Sequence, residues 1–162
     1  MPVADTEWHE SLPAWSPDGR RIAYTANRGR KWDIWMVAPD GDKRERITDD
    51  DAKDYAPIWS PDGQKLLFSS NRKRSVDLWS IAIDSRKLKQ LTIDESFEAF
   101  ATWSPDGEKV VFQSDRGGKE QLWVIPISNI TYTASLKIRK LIRFADWLST
   151  EVAEEVTGKE IY

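Results

Sequence analysis

Hydrophobic residues occur along this chain in short runs that are separated by polar stretches rich in Pro, Asp and Gly. Runs such as Leu66-Leu67-Phe68 are apolar at consecutive positions. Because side chains of a β-strand alternate between the two faces of its sheet, such runs predict strands buried on both faces. A sheet with one wet face would instead alternate apolar and polar residues. The pattern therefore predicts sheets that are packed between other sheets.

The runs recur with a period of 44 residues. Trp15, Trp59 and Trp103 each open the phrase Trp-Ser-Pro-Asp-Gly. Other landmarks keep the same spacing, namely the tripeptides that end at Trp35, Trp79 and Trp123 and the dipeptides that end at Thr48 and Thr92. Four short strands per unit and a period of about 40–45 residues are typical of β-propellers. The chain is therefore predicted to be all-β, with three four-stranded antiparallel blades that form an incomplete ring.

The Ser-Pro-Asp-Gly phrase predicts a tight turn between the first and second strands of each blade. Proline presets φ, aspartate bonds its own backbone, and glycine takes the left-handed position. The inner strands are expected near residues 12–16, 56–60 and 100–104. Gly19, Gly63 and Gly107 are all expected to have positive φ.

The first blade illustrates the predicted order of the remaining elements. A second strand is expected over 21–25, a polar loop over 27–31 and a third strand over 34–37. A turn over 39–42 then leads to a fourth strand over 44–48. The six tryptophans that obey the repeat are interpreted as structural: Trp15, Trp35, Trp59, Trp79, Trp103 and Trp123.

These motifs resemble the repeat of the TolB-type propeller family. Residues 57–92 match its pattern throughout: Pro-x-Trp-Ser-Pro-Asp-Gly, an apolar strand, Ser-Asn-Arg, Asp-x-Trp and Leu-Thr. The third unit departs from it, with Ala101 in place of the proline and Gln121 in place of the aspartate. The resemblance covers about three quarters of the chain. It implies a scaffold role in an envelope complex, in contact with a lipoprotein and colicin-like proteins, although similar blades also serve several serine-peptidase families.

The predicted organisation has two parts. Residues 1–128 form the three blades. Residues 129–162 form a displaced outer strand over about 136–142, followed by a short C-terminal amphipathic α-helix over about 144–157, where apolar residues follow helical spacing. An alternative is a decayed fourth inner strand, because Trp147 lies 44 residues after Trp103.

Three blades cannot close a ring, so either the chain is part of a longer protein or copies of it associate. The terminal blades would otherwise expose apolar sheet faces. The C-terminal helix is expected to cover the third blade, whereas the first blade is expected to have no cover. A homo-oligomer that completes the propeller is therefore expected.

Composition excludes several partner classes. The net charge of −3 argues against a nucleic-acid or anionic-membrane binder. The chain has no cysteine and no apolar stretch of the ~20 residues that a transmembrane segment needs. No signal peptide is visible, so the chain as written is expected to be cytoplasmic, or periplasmic if it is a truncated TolB-like protein.

Catalytic and metal-binding patterns are scarce. His9 is the single histidine, and neither a Gly-x-Ser-x-Gly elbow nor a phosphate-binding glycine loop is present. The aspartates at 49–51 and Asp54 could offer oxygen ligands to calcium, but their spacing fits no twelve-residue calcium loop. A solvated acidic loop is the favoured interpretation. The sequence therefore predicts no enzyme activity, no cofactor and no metal site.

Candidate contact residues fall on one propeller face. Trp8 and Trp32 lie outside the repeat, in segments interpreted as loops of that face. Carboxylates and arginines recur every 44 residues beside them. Pairing of each arginine with a carboxylate, stapling blade to blade, is favoured over ligand binding. The partner-binding candidates are Trp8, His9, Glu10, Arg28, Trp32, Asp54, Tyr55, Arg72, Glu98 and Arg116.

The function predicted from the sequence is a non-catalytic propeller scaffold that binds a protein or peptide partner through this face. Two alternatives stay open. The chain could be the substrate-gating propeller of a larger serine peptidase, or a propeller that binds a carbohydrate or a metal through its funnel.

Overall fold

A computed structural model describes Val3 and residues 7–93 and 95–127. Its regular structure is entirely β, and the strands form one three-stranded and two four-stranded antiparallel sheets. The part of the chain that the structure describes contains no helix with the length and apolarity that crossing a bilayer requires. The predicted helix and displaced outer strand fall in residues 128–162, outside the described residues.

Each sheet is one predicted blade, with its strands in chain order. The strands of the first blade are β1 (His9–Trp15), β2 (Ile22–Arg28), β3 (Lys31–Val37) and β4 (Glu45–Arg46). Those of the second are β5 (Asp54–Trp59), β6 (Lys65–Ser70), β7 (Asp77–Ala82) and β8 (Leu88–Gln90). Those of the third are β9 (Glu98–Trp103), β10 (Lys109–Ser114) and β11 (Gln121–Pro126). Three blades without a closed ring therefore confirm the predicted fold class.

The turn that joins the first two strands of each blade is as predicted. Gly19, Gly63 and Gly107 have φ values of 68°, 68° and 74°. The serine of each turn donates to the aspartate two residues later, as from Ser60 Oγ to Asp62 Oδ1 at 2.6 Å. That aspartate also accepts from the backbone N–H two residues further on. The turn is thus fixed by hydrogen bonds within the phrase itself.

Blades pack face to face through two apolar clusters. The cluster between the first and second blades includes Ile34 and Met36 of β3 and Phe68 of β6. The cluster between the second and third includes Leu67 of β6 and Phe112 of β10. Phe68 and Leu67 are consecutive and point to opposite faces, and each is at most 1% exposed. Burial on both faces of the middle strands is therefore confirmed.

The free face of the first blade is covered, contrary to expectation. Its apolar residues Tyr24, Trp35 and Val37 are buried, and Val3 and Trp8 pack against them. The segment before β1 therefore shields the face that was expected to be bare. The outer face of the third blade, on the opposite side of its sheet, is more open, with Leu122 37% exposed.

Every inner strand contains a bulge at the same repeat position. Pairing with the second strand is irregular between Ser11 and Ala14 in β1 and between Tyr55 and Ile58 in β5. The bulged residues have left-handed φ values although none is glycine, namely Leu12 at 53°, Ala56 at 53° and Phe100 at 52°. In the second blade the bulge N–H of Ala56 donates to Thr25 Oγ1 of the first blade at 3.1 Å. The bulge thus connects adjacent blades.

The predicted polar loop over 27–31 is largely strand. β2 and β3 stay paired up to Arg28 and Lys31, so only residues 29–30 form the turn. Their φ values are positive, 62° at Gly29 and 75° at Arg30, as two-residue hairpins require. Trp32 therefore lies in β3 and not in a loop. The glycine of Asn-Arg-Gly-Arg was the available signal for this short hairpin.

Candidate functional site

We call the end of the blades that carries the hairpins at 29–30, 71–76 and 115–120 the upper end. The inner strands begin there, so all ten candidate contact residues cluster at or near this end. The opposite, lower end carries the Ser-Pro-Asp-Gly turns. The three blades present related residues at the upper end, but their environments differ.

In the second blade, hydrogen bonds and aromatic ring contacts hold the side chain of the repeat arginine in place. Arg72 Nη2 donates to both carboxylate oxygens of Asp54 at 2.8 Å, and Arg72 Nε donates to Ser70 Oγ at 2.8 Å. Its guanidinium lies 4.9 Å from the Trp79 ring centroid and 5.4 Å from that of Phe68. The Asp54 side chain is fully buried and the Arg72 side chain is 9% exposed. This arginine is structural.

The third blade repeats that arrangement. Arg116 forms an ion pair with the fully buried Glu98, and its Nε donates to Ser114 Oγ at 3.1 Å. Its guanidinium lies 5.0 Å from the Trp123 ring centroid and 5.1 Å from that of Phe112. In both blades the pair joins the inner strand to the end of the second strand of the same sheet. The predicted stapling from blade to blade is therefore wrong for these two pairs.

The first blade breaks the pattern. Arg28 is exposed, and its guanidinium lies over the ring of Trp8 at 4.8 Å instead of over Trp35. Trp8 packs against Trp35 with ring centroids 5.2 Å apart and an interplanar angle of 46°. The indole of Trp8 thus occupies the face of the core tryptophan that the arginine covers in the other blades. Among the described residues Arg28 forms no ion pair.

Two substitutions within the repeat accompany this difference. Ala26 stands where the other blades have Ser70 and Ser114, so Arg28 has no serine hydroxyl to which it can donate. Tyr24 stands where they have Phe68 and Phe112. The first-blade carboxylate, Glu10, is half-buried and has its own interactions.

A second aromatic pair crosses the junction of the first two blades. Trp32 of β3 and Tyr55 of β5 are both half-buried, with ring centroids 5.7 Å apart and an interplanar angle of 42°. Burial, followed by the charge of Asp54, raises the pKa of the Tyr55 hydroxyl, which therefore stays neutral at physiological pH. The pair presents a neutral aromatic surface, and the exposed cations Arg30 and Lys53 precede Trp32 and Tyr55 by two residues in the chain.

The acidic loop at 49–51 is exposed to solvent, as predicted, and its carboxylates also form ion pairs. Asp51 accepts from Lys31 Nζ at 2.9 Å, and Asp50 lies 3.3 Å from Arg72 Nη1. Asp49 pairs with Arg46, which also donates to the buried Asp33 at 2.6 Å. These carboxylates therefore hold the loop to the two blades that flank it. Sequence spacing did not reveal Lys31 and Arg72, which lie 20 and 22 residues from their carboxylate partners.

Burial raises the pKa of the Asp33 carboxyl, although the Arg46 guanidinium opposes the shift. The charges of Asp54 and Asp49 add to the raising effect of burial. The pKa of Tyr24 is raised to about 12, first by burial and then by the charge of Glu10. Both side chains are buried in the packed first blade.

The described residues offer no arrangement typical of an active site. His9 is exposed at the start of β1. In the described ranges, no three His, Asp or Glu side chains are grouped so that they could hold a metal ion. What the upper end does offer is an exposed arginine on a tryptophan, with an aromatic pair nearby. Such a surface supplies the residue types that are enriched at binding interfaces.

Comparison with known proteins places these observations in context. A family model described as the TolB beta propeller domain matches residues 3–138. A Tol-Pal system protein TolB from Thioalkalivibrio sulfidiphilus is 51% identical over 35 residues, which make up 22% of this chain and 8% of that protein. The chain therefore spans a small part of the curated relative that it matches.

Solved structures show the same fold. A structure described as TolB from Agrobacterium tumefaciens has a TM-score of 0.69 and 24% identity, over 77% of this chain and 48% of that one. A puromycin-hydrolyzing peptidase from Mycobacterium tuberculosis has a TM-score of 0.64 and 17% identity, over 74% of this chain and 21% of that one. At these identities the likeness shows the fold alone.

Proposed function

The chain belongs to the TolB β-propeller family, and from that premise we propose that it is a non-catalytic propeller module that binds a protein or peptide partner through its upper end. The observation that carries the proposal is the break in the repeat at the first blade. The side chains of Arg72 and Arg116 are almost fully buried and form ion pairs with buried carboxylates. The side chain of Arg28 is instead exposed, and its guanidinium lies over the ring of Trp8. A structural role would be served alike in every blade, so the exception supports a role in contact.

The chemistry of this surface suits a polypeptide partner. Arginine, tryptophan and tyrosine dominate the binding energy of protein interfaces, because they combine a large apolar area with a polar group. Arg28 with Trp8 lies on the free face of the first blade, and Trp32 with Tyr55 lies at its junction with the second blade; both supply these residue types at the upper end. The members of each pair are already in contact, so binding would require little further ordering of their side chains.

Selection from a displayed peptide library tests the proposal. Immobilised wild-type chain is expected to enrich peptides that lose at least about tenfold in affinity for an Arg28→Glu, Trp32→Ala double variant. Arg20→Glu is the matched control, because Arg20 is exposed at the lower end beside the turn of the same blade. Peptides that bind all three chains equally would contradict the proposal.

The alternative from the enzyme class rests on the fold likeness to a puromycin-hydrolyzing peptidase. In that case the propeller would control the access of substrate to a separate catalytic domain. The chain itself would supply no catalytic nucleophile. Purified chain is expected to release no product from peptide or ester substrates. Turnover that survives His9→Ala and follows the purified protein would refute the non-catalytic assignment.

A further inference from the structure

The two junctions between blades differ in chemistry at the upper end, although the repeat places their residues alike. At both junctions the structure describes the blade on each side. Counting by the period of 44, charged or small residues of the first junction are replaced by large apolar residues at the second: Asp49 by Ile93, Lys53 by Phe97 and Ala56 by Phe100.

The second junction presents these apolar side chains to solvent. Ile93 is 67% exposed, Phe97 45% and Phe100 65%. The backbone N–H of Phe97 donates to Asp115 Oδ1, in the upper hairpin of the third blade, at 2.9 Å. That of the next residue donates to the backbone oxygen of Val76, at the end of the upper hairpin of the second blade, at 2.9 Å. We call Ile93, Phe97 and Phe100 the apolar patch, and exposed apolar groups of this kind mark interaction surfaces.

The first junction and the upper hairpin of the second blade are instead basic. Lys53 N donates to Asn71 Oδ1 at 2.7 Å, and Asn71 N donates to the Lys53 oxygen at 3.3 Å. Lys53 therefore lies at the base of the hairpin that carries Lys73 and Arg74. We call the exposed cations Arg30, Lys53, Lys73 and Arg74 the basic patch.

The acidic loop at 49–51 does not neutralise the basic patch. Its three carboxylates pair with other cations, namely Lys31, Arg46 and Arg72. Within residues 7–93 and 95–127, no cation of the basic patch forms an ion pair. Their charge is therefore available to a partner, although the whole chain has a net charge of −3.

The basic patch does not continue onto the third blade. Gly117 and Gly118 stand where the second blade has Lys73 and Arg74. The exposed Lys119 of that hairpin is followed directly by the exposed Glu120. Across the upper end, the surface thus changes from basic at the first two blades to apolar at the entry to the third.

We propose that the polypeptide segment bound by the upper end is acidic in one half and apolar in the other. Its carboxylates pair with the basic patch, and its apolar side chains bury the apolar patch. The inference rests on the function proposed above and adds the composition and the orientation of the ligand. Complementary charge steers the segment and fixes its register, while apolar burial contributes most of the affinity.

A nucleic acid is the competing ligand for the cations. Its phosphates would pair with the basic patch, but the aliphatic Ile93 offers no ring on which a base could stack. The net charge of −3 also repels a polyanion at long range. A short acidic and apolar polypeptide therefore matches both patches better.

Selection of a displayed random-peptide library on the wild-type chain tests the proposal. Enriched peptides are expected to carry Asp or Glu in one half and Phe, Leu, Ile or Trp in the other, in a constant order. Synthetic copies are expected to bind about tenfold more weakly to a Lys53→Glu, Lys73→Glu variant and to an Ile93→Ser, Phe97→Ser variant. Copies with the two halves exchanged are expected to lose affinity for the wild type.

Matched controls carry the same substitutions at exposed positions near the lower end. Lys65→Glu, Lys109→Glu controls for the charge change, and Leu88→Ser controls for the loss of an exposed apolar side chain. Both are expected to bind the peptides as the wild type does. Rising salt concentration is expected to weaken binding to the wild type more than binding to Lys53→Glu, Lys73→Glu.

The outcomes separate this inference from the function on which it rests. Peptides that require Trp32 but have no acidic half, or that bind both patch variants as well as the wild type, would overturn the inference and leave the proposed function standing. A single-stranded oligonucleotide that displaces the peptides and binds more tightly would also overturn it. A library from which no peptide is enriched would overturn both.

Discussion

The indole of Trp8 packs on the indole of Trp35, at a position of the fold where an arginine covers the corresponding tryptophan in the other two blades. Arg28, the arginine of this blade, is displaced to the outer side of Trp8. Three arginines that occupy the same repeat position therefore have two different environments. Their substitution should separate a structural role from a surface role.

Replacing Arg72 by Met is expected to destabilise the chain by about 3–5 kcal/mol, because it leaves the fully buried Asp54 without its cation. Arg28→Met is the matched control and is expected to change the free energy of unfolding by about 1 kcal/mol or less, since an exposed cation–π contact is weak. Urea denaturation of both variants measures the difference. Equal losses would mean that Arg28 is as structural as Arg72.

Tyr24→Phe is expected to stabilise the first blade by about 1 kcal/mol. The buried Tyr24 hydroxyl has no hydrogen-bond partner among the described residues, and the other blades have phenylalanine at this position.

The pKa of Tyr24 is raised to about 12 in the folded chain, so stability present below pH 10 should be lost as pH rises through 12. Melting curves recorded from pH 7 to 12 should therefore show that the melting temperature of the Tyr24→Phe variant falls less steeply with rising pH than that of the wild type. A lower melting temperature at pH 7 would show that the hydroxyl is satisfied.

Gly63→Val is expected to destabilise by about 1–3 kcal/mol, because a β-branched residue is strained at φ 68°. The space beside Gly63 is adequate, since a Cβ would lie in ordinary contact with Pro17. Gly63→Asn should therefore cost less than Gly63→Val, because asparagine tolerates left-handed φ. If thermal melts ranked the two variants the other way, strain would not be the cause.

Asp62→Asn is expected to make the chain less sensitive to acid. The Ser60 hydroxyl, and then the backbone N–H of Gln64, lower the pKa of the Asp62 carboxyl in the folded chain. Its contribution to stability is therefore present above the unfolded pKa of about 3.9 and is lost as pH falls through the lower folded value. Melting temperature against pH from 7 to 2 measures this effect, and parallel curves for variant and wild type would contradict it.

The repeat made most of the fold predictable. The period of 44 placed the glycine of each Ser-Pro-Asp-Gly turn and every inner strand, because turn chemistry and two-faced apolar runs are local properties of the sequence. The positive φ of Gly63 followed from Ser-Pro-Asp-Gly without knowledge of any contact. The extension of β2 and β3 to residues 28 and 31 did not follow, since cross-strand pairing overrode the polar composition of that stretch.

The candidate site was less predictable, because it depends on contacts between distant residues. Trp8 and Trp35 are 27 residues apart, and no spacing rule indicates that one indole will replace a guanidinium on the other. The signal was present in Ala26, which replaces the serine that anchors the arginine elsewhere. Trp15 obeys the repeat and was expected to be structural, yet it is 60% exposed, because none of the blades that the structure describes lies against it.

The inner-strand bulge offers a way to redesign the inner edge of the blades. Leu12, Ala56 and Phe100 differ widely in size but share φ values of 52–53°, so the backbone conformation does not depend on which side chain is present. In the second blade that conformation is held from outside the strand, by Thr25 of the neighbouring blade. Side chains could therefore be exchanged at these three positions to introduce new recognition chemistry, with the architecture left intact.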